Sequence, residues 1–124
     1  PYKQAGLLHA EGVIISFCYQ GDMEAMGQRN LPFSAGTAVA YGLPYEEAIA
    51  ALTLNTAKML GIDKKTGSLE INKEATFFIS KGDALDMRGN DIQFAFIKGR
   101  AIDLENHQKA LDRKYRKKFG LDIK

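Results

Sequence analysis

One stretch restricts the folds open to this chain more than any other: "GVIISF", Gly12 to Phe17. An apolar run with β-branched members at Val13 to Phe17 suits a strand covered on both faces, as in a parallel sheet, better than a solvent-facing hairpin. Helices are therefore expected on its flanks. Upstream, Tyr2–Ala10 ("YKQAGLLHA") carries apolar side chains at helical spacing, and Gly12 is placed to end that helix. Downstream, from Tyr19 to Pro32, the sequence turns irregular, with Gly21, Gly27 and Asn30 around Met23, Glu24 and Met26. This is the longest loop expected in the chain.

The next segment reads as helical. Phe33–Tyr41 ("FSAGTAVAY") has small residues every few positions, so a helix here can bring its backbone close to a neighbour, and Gly42 with Pro44 breaks it. Pro44 suits the first position of another helix, Glu46 and Glu47 favour its positive N-terminal end, and Ala48, Ile49 and Leu52 give it an apolar face. Thr53 can then cap a short helix, Leu54 to Leu60, that Gly61 ends. Near Ile62 the character changes to short β segments, "GSLEI", "ATFFIS" and "DIQFAFIKGRAIDL", separated by turn-forming Gly, Asn and Asp. A final helix is expected over Glu105–Phe119, docking by the single stripe Leu111, Tyr115 and Phe119, with Lys and Arg toward its negative C-terminal end.

Composition narrows the function classes. At 124 residues with 45% hydrophobic content the chain can bury the core of one ordinary domain. A net charge of +2, with the basic excess gathered at the C-terminus, does not mark a nucleic-acid binder. Cys18 is the single cysteine, so no internal disulfide and no Cys/His metal cluster is expected. No apolar run reaches the ~18 residues of a membrane span, and the start at Pro1 is read as a cut. Nothing in the composition assigns a compartment.

Three motifs in order resemble one family. The run "RNLPFSAGTAVAYGLPYEEAIAALTLNTAKMLGID" resembles the last βα segment of metal-dependent amidohydrolases of the imidazolonepropionase-like group. "GSLEINKEATFFI" resembles their G-S-[LI]-E-x-G-K-x-A-D-[LF]-[VI] segment, and "GDALDM…IQFAFIKGRAIDL" resembles the D-P-L…V…V-x-x-G-[RK] segment that ends their sandwich domain. The resemblance implies an α/β fold: the last strand and helices of a (β/α)₈ barrel over residues 1–61, part of a small β-sandwich over 62–104, and a C-terminal helix and tail over 105–124. On that pattern Gly12–Phe17 is the eighth barrel strand, and catalytic groups belong at strand C-terminal ends. Departures are Asn72 for the usual Gly, a residue that tolerates a left-handed turn, Thr76 for the usual Asp, and Thr56 for the Pro that follows the family's Asn, here Asn55. In the segment Gly67–Lys73, Gly67 is expected to supply a tight turn, while Leu69 and Ile71 alternate toward a core and leave Glu70 outside.

The resemblance also singles out the strand end. In the family the eighth strand closes on a Ser/Thr-Asp pair whose carboxylate helps bind the metal and takes a proton from the metal-bound water. The matching positions here are Tyr19 and Gln20, and an amide neither accepts that proton nor ligates as well as a carboxylate. Asp22, two residues on, is the candidate replacement, with loop solvation as the plain alternative. A third reading takes Gln20 as the mark of a relative that has kept the fold and lost the chemistry, a non-catalytic module for folding or assembly.

The implied activity of the parent is hydrolysis of a C–N bond in a cyclic or peptide-like amide by metal-activated water, with a divalent metal, zinc, held by histidines upstream of Pro1. The segment alone is expected to hold no metal and to be inactive. His9 and His107 lack a second ligand at i+4 and are expected to face solvent or bond locally. Cys18 is expected to pack, Gly21 and Gly27 to free the loop, and Arg113–Lys118 to form a solvated face. The expected partners are the rest of the parent chain, a small-molecule substrate for the parent, and a second copy of this segment meeting through "FAFI" (Phe94–Ile97) and "ATFFI" (Ala75–Ile79). Neither nucleic acid nor a membrane is expected.

Overall fold

A computed structural model describes residues 1–21 and 24–121. In chain order the elements are α1 (Gln4–Ala10), a short α2 (Glu24–Gly27) with a 3₁₀ turn at Gln28–Asn30, α3 (Leu31–Ala40), α4 (Tyr45–Leu52), α5 (Leu54–Met59), β1 (Phe77–Ser80), β2 (Ile92–Ile97), β3 (Arg100–Ala101) and α6 (His107–Lys118). The helix-then-sheet order matches the sequence pattern. The expected irregular loop before Pro32 is instead partly helical, and Pro32 lies in the first turn of α3, where its missing N–H costs nothing.

Glycine stops α1 and α3 by the same device. Gly12, at φ +76°, donates to the His9 carbonyl at 2.9 Å, and Val13 donates to Leu8 at 3.0 Å. Gly42, at φ +107°, donates to Val39 while Leu43 donates to Ala38, both at 3.0 Å. This paired return satisfies the last carbonyls of a helix and needs a residue that accepts positive φ. It also turns Leu43 inward, where it is 2% exposed and joins Ala35, Ala38, Ala48 and Leu85 in the core. Small side chains on α3 and α4 let the two helices approach closely, as the composition of "FSAGTAVAY" predicted.

Some caps differ from expectation. Pro44 stands just before α4, at φ −56° and ψ 141°, rather than inside its first turn. The extended ψ of Pro44 leaves helical geometry to begin at Tyr45. Thr53 precedes α5 but does not cap it, because its hydroxyl donates back to the Ile49 carbonyl at 2.7 Å. A cap would need the hydroxyl oxygen to accept from an N–H of α5, and the bond to Ile49 holds that oxygen on the α4 side instead.

The expected strand Val13–Phe17 has no ladder partner among the described residues and forms no regular strand. Ile15 and Phe17 pack against the core and Ser16 is half-buried, while Val13 and Ile14 are 45% and 58% exposed and Cys18 is exposed. Cys18 therefore does not pack, contrary to its expected role.

The β segments form one antiparallel sheet in the order β1-β2-β3, with Phe77 opposite Phe96, Phe78 opposite Ala95 and Ile79 opposite Phe94. Phe77 and Phe96 stack with ring centroids 5.0 Å apart. Lys98 (φ +51°) and Gly99 (φ +77°) make the two-residue turn between β2 and β3, a hairpin geometry that needs positive φ at both places. "GSLEI" is not a strand: Leu69 and Ile71 are 75% and 92% exposed, and among the described residues no strand pairs with the segment to give them a core side. Asn72 does adopt the left-handed turn, at φ +73°. The α6 stripe stays open as well, with Tyr115 and Phe119 exposed and stacked on one another and Leu111 half-buried.

One loop ties the sheet to the helices. After β1, Asp83 accepts from the Leu85 backbone N–H and from the Tyr45 hydroxyl, each at 2.8 Å. Leu85 is 5% exposed, and its carbonyl lies so close to Gly36 of α3 that a Cβ there would meet the oxygen at 2.2 Å. The open glycine face is what admits the loop.

Candidate functional site

The candidate site grows from the end of the unpaired run. Ser16 is held to α5: Thr56 donates its hydroxyl proton to the Ala51 carbonyl at 2.8 Å, so its oxygen accepts from Ser16 Oγ at 2.6 Å. Thr56 thus gives the run an anchor that a proline could not.

Tyr19 is held at two points. Its hydroxyl meets Ser34 Oγ at 3.0 Å, and Ser34 directs its own proton to the Asn30 carbonyl at 3.4 Å, so the tyrosine is the donor. Its ring lies against Gly27, where an added Cβ would stand 2.9 Å from Cδ1. Gly27 has φ −70°, an ordinary helical value, so the glycine serves the ring and not the freedom of the backbone. Gly21 does take the left-handed side, at φ +121°. No pattern in the sequence announced the Tyr19 contacts, since each joins residues on different elements.

Gln20 follows directly and is exposed, as are Ile14 and Cys18 earlier in the run. The structure thus brings Gln20 to an open surface with Tyr19 turned the other way. Asp22 lies outside the described residues. Beside the run a groove of about 380 Å³ is walled by Leu8, Ile15, Phe17, Ser34 and Ala38, and Gln20 does not line it.

The remaining polar groups have local roles. His9 Nδ1 lies 3.6 Å from Glu47 Oε2, joining α1 to α4, and His107 is exposed in the first turn of α6. Lys73 Nζ donates to Ser68 Oγ at 2.6 Å and to Glu70 Oε1 at 3.0 Å, and Ser68 donates to the same carboxylate. The Ser68 hydroxyl first, then the Lys73 ammonium, hold the Glu70 carboxyl below its usual range. Gly67, at φ +95°, makes the turn into this cluster and lies against the Ala57 methyl of α5. The hydrogen bond to Asp83 raises the Tyr45 phenol above its ordinary value, with burial and the Asp83 and Glu46 charges acting in the same direction.

Among the described residues no three His, Cys, Asp or Glu side chains gather closely enough to hold a metal ion. An exposed thiol and an exposed amide do not form a divalent-metal ligand set, so no metal fits on these residues by themselves.

Residues 3–102 match the model of the family described as "Amidohydrolase family". The imidazolonepropionase of Shewanella oneidensis is 57% identical over 37 residues, which are 30% of this chain and 9% of that protein. The imidazolonepropionase of Syntrophobacter fumaroxidans is 43% identical over 54 residues, 43% of this chain and 13% of that one. The crystal structure of an amidohydrolase from Thermotoga maritima superposes with a TM-score of 0.69 at 27% identity, covering 82% of this chain and 26% of that chain. The matched regions are thus a small part of each relative.

Proposed function

Because this chain belongs to the amidohydrolase family, we propose that it supplies the C-terminal part of a metal-dependent hydrolase of the imidazolonepropionase-like group. In this reading Gly12–Phe17 is the last strand of a (β/α)₈ barrel, with Gln20 at the position of the family's strand-end Asp, and β1 to β3 are one half of a small sandwich. The observation that supports it is the packing of the run on the helices through Ile15, Phe17 and the Ser16–Thr56 bond, with Ile14, Cys18 and Gln20 left exposed, as a barrel strand seated on its helices leaves residues for the interior. The reaction is hydrolysis of a C–N bond in a cyclic or peptide-like amide. The divalent metal common in the family, zinc in this reading, would supply activated water, and its ligands would lie outside these residues. The segment alone is inactive, and its contribution is the strand end at Gln20 and the residues after it, with Asp22 as the carboxylate to mutate first.

The test is elemental analysis of the native-length protein after exhaustive dialysis, together with turnover of imidazolonepropionate, the compound in the relatives' name. Near-stoichiometric zinc, turnover, and its loss in Asp22→Asn are expected. Absence of both metal and turnover would replace this reading with a non-catalytic module for which Gln20 marks a lost site.

A further inference from the structure

We propose that Tyr19 is a positioning residue that fixes the strand end, acting through Ser34 and Gly27 to set where Gln20 is presented. The inference rests on the reading of the strand end as part of a hydrolase site. It follows from two contacts with different chemistry that converge on one side chain.

The hydroxyl contact runs Tyr19 to Ser34 Oγ and on to the Asn30 carbonyl, so the strand end is tied to the beginning of α3. The ring contact presses on Gly27, eight positions later in sequence. Gly27 sits at helical dihedrals, where alanine is intrinsically the better residue by about 1 kcal/mol. The space beneath the Tyr19 ring is what an alanine methyl would fill. The ring therefore touches the segment after the site while its hydroxyl holds the helix beyond it, and Gln20 is the next residue along the backbone.

Exposure gives the direction of the effect. Tyr19 reaches α3 through Ser34, while the next residue, Gln20, lies exposed, as do Cys18 and Ile14. A tyrosine free to rotate would let the Gln20 backbone turn with it. Fixing both ends of the phenol holds the strand end in register, and misplacement of a group at a reaction site by about 1 Å costs up to about 100-fold in rate.

The experiment uses the native-length protein with Tyr19→Phe, Ser34→Ala and the double variant. Tyr19→Phe keeps the ring on Gly27 and removes only the hydroxyl bond. Each single change should lower kcat on imidazolonepropionate about fivefold to tenfold with KM within about twofold. The double variant should be no worse than either single one, because both break the same link. Amide hydrogen exchange should quicken together at residues 18–21 and 27–31, with α4 unchanged. Unchanged kcat in an active wild type would overturn the proposal. If the wild type shows no turnover, the hydrolase reading fails separately, and exchange decides: joint quickening at both segments upholds Tyr19 as the link, and unchanged exchange overturns it.

Discussion

Tyr45 and Asp83 show how much one hydrogen bond does when it joins two halves of a chain. The phenol of α4 reaches the loop after β1, and the same carboxylate oxygen turns that loop by accepting from the Leu85 N–H. Tyr45→Phe removes only the donor and should cost about 1 kcal/mol at neutral pH, read by urea unfolding. It should also change the alkaline limb. Because the folded phenol titrates above its ordinary value, its contribution is full below about pH 10 and is lost as pH rises through the raised value. The wild type should therefore lose stability across that window, and Tyr45→Phe should lose less. Little at this scale was legible beforehand. The departures Asn72 and Thr56 were seen to be tolerable; that Asn72 completes a left-handed turn and Thr56 anchors Ser16 required the folded neighbours.

Among the elements, α3 and α6 are opposites. α3 is surrounded: Ala35 is fully buried and Gly36 admits the Leu85 carbonyl at close range. Gly36→Ala places a methyl against backbone that has no rotamer to escape into, and should destabilise by about 1–3 kcal/mol in denaturant unfolding. α6 shows no buried residue, and its start depends on Asn106, whose side chain accepts from the Lys109 N–H at 2.9 Å. Asn106→Ala should remove about 1 kcal/mol of local helix stability, seen as reduced far-UV circular dichroism with the cooperative unfolding midpoint nearly unchanged. The sequence placed both helices because their spacing and stops are local. It put the start of α6 two residues early, at Glu105, and expected a docked stripe, since periodicity reports which side of a helix is apolar and not whether anything covers it.

For the molecule as a whole, the question is what becomes of apolar surface on a three-stranded sheet. Phe78 and Ile97 are each about half exposed, as are Ile79 and Phe94. Self-association was expected through "FAFI" and "ATFFI", to hide open strand edges and uncovered apolar faces; the two segments pair with each other within the chain, and their sheet faces remain half exposed. The chain on its own should therefore form concentration-dependent oligomers in multi-angle light scattering, and Phe78→Ser should shift them toward monomer. By itself the sequence determined the helix order, the glycine stops, the strands at "ATFFIS" and "DIQFAFIKGRAIDL" and the family resemblance, because each depends on neighbours a few residues apart. Only the tertiary structure decided that Val13–Phe17 stays unpaired, that Leu69 and Ile71 lie open, that Cys18 faces outward, and that Tyr19 reaches Ser34 and Gly27. A strand, a buried face and a two-point contact each need a second segment at the right place, and that second segment is a property of the fold rather than of the local sequence.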